Sequence, residues 1–64
     1  MKVEKYEKQL AKAFINMYIA KGYDPDELDA ATMEYEIMKI TGNNEHMHRY
    51  DLEDYIKSEI EKLL

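Results

Sequence analysis

Apolar residues recur at three- and four-residue steps along most of this 64-residue chain, and this spacing is typical of amphipathic helices. The first such segment covers about residues 2–21, and its main apolar stripe consists of Val3, Tyr6, Leu10, Ala13 or Phe14, Met17 and Ala20. The second half of this segment is apolar on nearly every side, because Ile15 and Ile19 lie outside the main stripe. A helix that is apolar on more than one side needs more than one neighbour.

A clear helix start follows this segment. Asp24 fits the N-cap position, Pro25 the first helical position and Glu27 the third, from which its carboxylate can accept the amide of the cap residue. Tyr23 and Leu28 are spaced as a hydrophobic staple across the cap. These positions together predict that a second helix begins at Pro25.

The second helix is predicted over about residues 25–41, with Gly42 ending it as Gly22 ends the first helix, since a left-handed conformation costs little at Gly. Its apolar residues fall on two stripes. One stripe is Leu28, Ala31, Tyr35 and Met38, and the other is Ala30, Met33, Ile37 and Ile40. A helix with two apolar stripes is expected to pack between two neighbours.

A third helix is predicted over about residues 51–64, after a polar loop. Asp51 fits its N-cap, with Tyr50 and Tyr55 as a second staple pair. Its core stripe consists of Leu52, Ile56, Ile60 and Leu63. The charged pair Glu53–Lys57 has the four-residue spacing of neighbours on the outside of a helix.

The chain is therefore predicted to be one all-α domain over residues 1–64, a small three-helix domain with a long first helix and short second and third helices. A domain of this size buries only about 60% of its unfolded surface. The chain has no Cys, so no disulfide can stabilise it. Because the first helix is about two turns longer than the third, its end must overhang or pair with another copy, and a homodimer would complete the fold.

Charge divides the chain into a basic first segment and an acidic remainder. Residues 1–22 carry five Lys and two Glu, a net charge of +3, whereas the whole chain has a net charge of −5. Six acids fall in the first turns of predicted helices, where carboxylates stabilise free amides: Asp24, Asp26, Glu27, Asp51, Glu53 and Asp54. An acidic surface that mimics DNA is the alternative interpretation of these residues.

Direct binding to nucleic acid is not favoured by this charge pattern. The first helix has a lysine face that could contact phosphates, and a dimer could use it for weak DNA binding. Its members are Lys2, Lys5, Lys8 and Lys12. However, a helix-turn-helix places the start of its second helix in the major groove, and both later helices start with carboxylates that phosphates repel.

The residues that catalysis or metal binding requires are sparse. The chain has no Cys, its two His are His46 and His48 in one segment, and its single Ser is Ser58. Two neighbouring His fall short of the four ligands of a structural zinc site. A calcium loop fails because Leu28 and Asp29 stand where an oxygen ligand and Gly are needed. We therefore expect no enzymatic activity, no cofactor and no metal.

The chain is also expected to be cytoplasmic. Its first residues lack the apolar core of a signal peptide. Its longest apolar run is much shorter than the roughly 20 residues of a membrane helix, so no membrane association is expected. The absence of Cys suits a reducing compartment.

The remaining functional signal is a surplus of Tyr and Met, six and five residues, which are enriched at protein interfaces. We expect a small acidic regulator or inhibitor, of the kind that phage and other mobile elements carry, that occupies a surface on a larger protein. A protein partner is expected, and a homodimer is an alternative. The predicted partner-binding residues are Ile15, Tyr18, Ile19, Met33 and Ile37.

Overall fold

Three helices follow one another in the computed structural model, which describes residues 3–42 and 50–64. Helix α1 spans Lys5–Ala20, α2 spans Ala30–Thr41 and α3 spans Tyr50–Glu61, with a short 3₁₀ turn at Pro25–Glu27 before α2. Each helix packs against the other two, and the described residues contain no strand. The predicted all-α, three-helix fold is confirmed.

Helix α1 begins and ends through local hydrogen bonds. The amide of Glu4 donates to the carboxylate of Glu7 at 3.1 Å, which caps the first turn. At the other end, the amide of Gly22 donates to the carbonyl of Ile19 at 3.0 Å, and Gly22 has a φ of 104°. A residue with a side chain rarely adopts this conformation, so the predicted role of Gly22 as a helix stop is confirmed.

The predicted start of the second helix is correct in its chemistry and wrong in its length. The amide of Asp24 donates to the carboxylate of Glu27 at 3.1 Å, as the capping pattern requires. The helical turn that this cap starts is only the 3₁₀ turn, because Leu28 is extended, with φ −80° and ψ 135°. A second N-cap at Asp29 then starts α2, which ends at Gly42 with a φ of 79°.

Asp29 is consequently the cap that determines where α2 begins. Its carboxylate accepts the Thr32 hydroxyl at 2.8 Å and the Ala31 amide at 3.1 Å. Both hydrogen bonds lower the pKa of Asp29 below its ordinary value, and the bond from the Thr32 hydroxyl has the larger effect. A carboxylate whose pKa is lower in the folded state stabilises the fold above its unfolded pKa of about 3.9. That stabilisation is lost as the pH falls through the folded pKa.

We predict that Asp29→Ala lowers the free energy of unfolding by about 1 kcal/mol at neutral pH, the usual loss for an N-cap. Urea unfolding followed by far-UV circular dichroism measures the change. The matched control is Asp26→Ala, which removes an exposed acid from the 3₁₀ turn. If the Asp29 and Asp26 variants lose equal stability at neutral pH, Asp29 is not acting as the cap.

Helix α3 begins one residue earlier than predicted and ends earlier. Because Tyr50 is already helical, Asp51 lies inside the first turn and is not the N-cap. The staple geometry that paired Tyr50 with Tyr55 is therefore also wrong. The predicted Glu53–Lys57 pair is confirmed at 3.4 Å. The predicted loop residues 43–49, with both His, lie outside the described residues.

The core is formed by one face of each helix. Its buried members are Ala11, Ile15, Ala30, Met33, Ile37, Leu52, Ile56 and Ile60. The stripe predicted for the third helix is confirmed up to Ile60, whereas Leu63 is exposed. Of the two stripes on the second helix, the one that contains Ile37 supplies most of its core residues. A single chain therefore encloses an apolar core without a second copy.

Two carboxylates are buried beside this core. Glu7 on α1 and Glu34 on α2 are both almost completely inaccessible to solvent. Burial of a carboxylate is unfavourable unless it is hydrogen-bonded. Glu7 accepts the Glu4 amide, and within the described part of the chain no buried side-chain nitrogen or oxygen lacks a hydrogen bond. These two acids are therefore part of how α1 and α2 pack.

Candidate protein-binding face

Three of the five residues predicted to bind a partner are buried in the core. Ile15 on α1 and both Met33 and Ile37 on α2 pack against the other helices of the same chain. The prediction assumed that a single chain leaves these side chains uncovered, and that assumption is corrected here. Because they are inaccessible, a partner that meets the folded domain must contact other residues.

The other two predicted residues, Tyr18 and Ile19, lie at the margin of the core. Both are half-buried and pack against it. The Tyr18 ring stacks on Phe14 with a centroid separation of 6.3 Å, and it meets Tyr23 edge-on at 5.8 Å. Such aromatic pairs contribute about 0.5–1.5 kcal/mol beyond the area they bury. Tyr18 therefore joins α1 to the turn that follows it.

The main apolar stripe of α1 lies partly outside the core. Tyr6 is 56% exposed and Met17 is 40% exposed, while Ala13 and Ala20 are also exposed and Leu10 and Phe14 are half-buried. We call this surface the outer face of α1. It consists of Tyr6, Leu10, Ala13, Phe14, Met17 and Ala20.

The side of α1 that packs inward lies around the helix from the main apolar stripe, and Leu10 and Phe14 stand at the boundary between them. Glu7, Ala11 and Ile15, at four-residue steps, are the buried residues of this helix. Ala11 has no exposed surface, and its small side chain lets neighbouring elements approach closely. Ala13 lies two residues further along, a rotation of about 200° around the helix axis, so it points away from the core.

The outer face contains a shallow apolar depression of about 120 Å³. Leu10, Ala13, Phe14 and Met17 line it, with the small Ala13 side chain between larger neighbours. These residues have the spacing i, i+3, i+4 and i+7. In coiled-coil packing, a side chain of one helix inserts into a hole made by four residues of the facing helix. The depression has the composition and spacing of such a hole.

One edge of the outer face is basic. Gln9 and Asn16 border the apolar residues, and Lys5 and Lys12 follow them around the helix. All four side chains are exposed. The only acid within α1 is Glu7, which is buried on the inward side. The exposed surface of α1 is therefore positive, although the chain as a whole has a net charge of −5.

These lysines have no electrostatic partner within the part of the chain that the structure describes. The described ion pairs are Glu53–Lys57 and Glu59–Lys62, and Lys8 lies 5.6 Å from the ring centroid of Tyr55. Neither Lys5 nor Lys12 makes a comparable contact with a described residue. A carboxylate of another molecule can therefore approach them without displacing an existing pair.

The acidic residues have local structural roles at several helix starts. Asp24 and Glu27 form the capping arrangement before the 3₁₀ turn, and Asp29 caps α2. Asp51 and Glu53 lie in the first turn of α3. This agrees with the structural interpretation of the acidic clusters. It leaves the alternative of a DNA-mimicking surface without an observation that favours it.

Metal ligands do not cluster in residues 3–42 and 50–64. Within these ranges, no three His, Asp or Glu side chains converge as metal ligands would. The groove between α1 and α3 is lined by Lys12, Asn16, Glu59 and Lys62 with two apolar side chains, and no hydroxyl or imidazole lines it. No described helix is long and apolar enough to cross a membrane.

The outer face was present in the sequence as a 3-4-3-4 repeat from Val3 to Ala20. That spacing is the signature of a helix that packs against another helix, whether within one chain or between two. In this structure part of the stripe lies outside the core. Compared with known protein families, with curated protein sequences and with solved structures, the chain matches none of them.

Proposed function

We propose that this protein is a non-catalytic interaction module that binds a protein partner through the outer face of α1. One observation carries the proposal. After the three helices have enclosed their core, Tyr6, Ala13 and Met17 remain exposed on one side of the longest helix. Exposed apolar residues that form a continuous patch are typical of interaction sites, whereas isolated ones are common on any surface.

The composition of the outer face supports the same function. Tyr and Met combine a large contact area with adaptable packing, and both are enriched where proteins meet. Tyr6 and Met17 stand near opposite ends of α1. Because α1 is 16 residues long, it offers a surface about 24 Å in length. A regulator or inhibitor that occupies part of a larger protein requires a surface of this kind and no active site.

Site-specific crosslinking tests this function. We predict that a photoreactive phenylalanine analogue in place of Ala13 forms a discrete adduct with another protein in the cell that encodes this chain. The same analogue in place of Tyr35, an exposed aromatic residue on α2, serves as the control and should not form that adduct. Adding Met17→Glu to the chain that carries the analogue at position 13 should reduce the yield at least tenfold, because it places a charge beside the depression.

The proposed binding site is wrong if the Ala13 and Tyr35 positions give the same adducts in equal yield. It is also wrong if Met17→Glu leaves the Ala13 adduct unchanged. Circular dichroism of each variant establishes that the helices are intact. Because Ala13, Met17 and Tyr35 are all exposed, none of the substitutions disturbs the core.

A further inference from the structure

We infer that the partner element that covers the outer face is an α-helix with an apolar stripe and acidic residues along its flank. This inference rests on the proposed function and adds the chemistry of the partner. It follows from the shape of the apolar depression and from the charge beside it, which are independent observations.

The shape favours a helix. The depression between Leu10, Ala13, Phe14 and Met17 is a four-residue hole of the type that receives one side chain from a facing helix. Tyr6 extends the stripe beyond the depression toward the start of α1, and Ala20 extends it toward the end. A partner helix aligned with α1 would place an aliphatic residue in the hole and further apolar residues against these two.

The charge favours acidic flanks. Lys5 and Lys12 are seven residues apart, which is about 10.5 Å along the helix axis. An acidic residue repeated every seven positions on a partner helix would meet both lysines. Such pairs determine which partner binds more than they determine how tightly it binds.

A second copy of the chain fits this face less well. In an antiparallel pair of α1 helices related by a two-fold axis, each edge lies beside the same edge of the other copy. Since Lys12 is near the middle of α1, Lys12 of one copy would lie beside Lys12 of the other. A parallel pair would align two helix dipoles with the same direction, which is unfavourable. The antiparallel pair therefore brings like charges together, and the parallel pair brings like helix ends together.

Two synthetic peptides of about three heptads test the inference. Both have Leu at the a and d positions of the heptad abcdefg, which form the apolar stripe. One has Glu at every e and g position, which flank this stripe, and the other has Lys there. Binding to the full chain is measured by fluorescence anisotropy at low salt. We expect the Glu peptide to bind at least tenfold more tightly than the Lys peptide. The net charge of −5 would by itself produce the opposite preference, so only a local basic surface explains this result.

Two double variants locate the charge. Lys5→Glu with Lys12→Glu should reverse the peptide preference. Lys39→Glu with Lys62→Glu changes the net charge by the same amount on α2 and after α3, and should leave the preference for the Glu peptide intact.

Ala13→Trp, which fills the hole from an exposed position, should weaken binding of the Glu peptide at least tenfold.

The inference about acidic flanks fails if the Lys peptide binds preferentially while Ala13→Trp still removes binding. The proposed function survives that result, because the outer face would still be the binding site. If the Lys5/Lys12 variant alone abolishes retention of a DNA fragment at low salt, the lysines contact nucleic acid and the inference is overturned. If sedimentation equilibrium shows that the chain is a dimer and that Ala13→Trp dissociates it, a second copy covers the outer face and the inference is overturned.

Discussion

Replacing Ile37 with alanine is expected to remove a large part of the stability of the protein. Ile37 has no exposed surface and lies in the core with residues of the other two helices. Truncation of a buried Ile to Ala typically removes about 2–5 kcal/mol of stability. A chain of 64 residues has about 3–10 kcal/mol in total, at 0.05–0.15 kcal/mol per residue. The loss is therefore a large share of the free energy of unfolding, and it equals or exceeds that free energy if the stability lies at the low end of this range.

Ile40→Ala provides the matched control, because it makes the same chemical change on the same helix. Ile40 is 54% exposed, so its truncation should change stability by no more than about 0.5 kcal/mol. Urea unfolding of both variants, followed by far-UV circular dichroism, gives the comparison. Equal losses for Ile37 and Ile40 would contradict the burial of Ile37 in the core and the exposure of Ile40 on the surface.

Helix ends were predictable because they depend on neighbouring residues. The stops at Gly22 and Gly42 and the hydrogen bond between Asp24 and Glu27 all form within one turn of the chain. The extended conformation of Leu28 was not predictable in the same way. Leu28 packs partly against the core, so its backbone depends on residues distant in sequence. This explains why the start of α2 was placed five residues too early.

The inward face of α1 could not be predicted from apolar spacing alone. The pattern from Tyr6 to Met17 is more regular and more apolar than the line of Glu7, Ala11 and Ile15 that is actually buried. A buried Glu and a buried Ala carry little hydrophobic signal, and their burial depends on what α2 and α3 place opposite them. The candidate site was missed for this reason, since the partner-binding residues were sought outside the main stripe, whereas Tyr6, Ala13 and Met17 of that stripe are the exposed ones.

Replacing either of two alanines on α1 with glutamate tests which side of this helix is the core. Ala11→Glu is expected to abolish the folded state. Ala11 has no exposed surface, so the new carboxylate would be buried without a group placed to neutralise its charge or to donate hydrogen bonds to it. An uncompensated buried charge lowers stability by several kcal/mol, and the longer side chain also overpacks the site. Together these effects match or exceed the stability of about 3–10 kcal/mol that a chain this short possesses.

Ala13→Glu makes the same chemical change two residues along the same helix and should have a different outcome. Ala13 is exposed, so the variant should keep its helical circular dichroism and a stability within about 0.5 kcal/mol of the original chain. It should nevertheless lose binding at the outer face, because the charge occupies the apolar hole. If Ala13→Glu unfolds and Ala11→Glu does not, the core lies on the side that the apolar spacing first indicated. The surface available to a partner is then the side of Ile15 and Ile19.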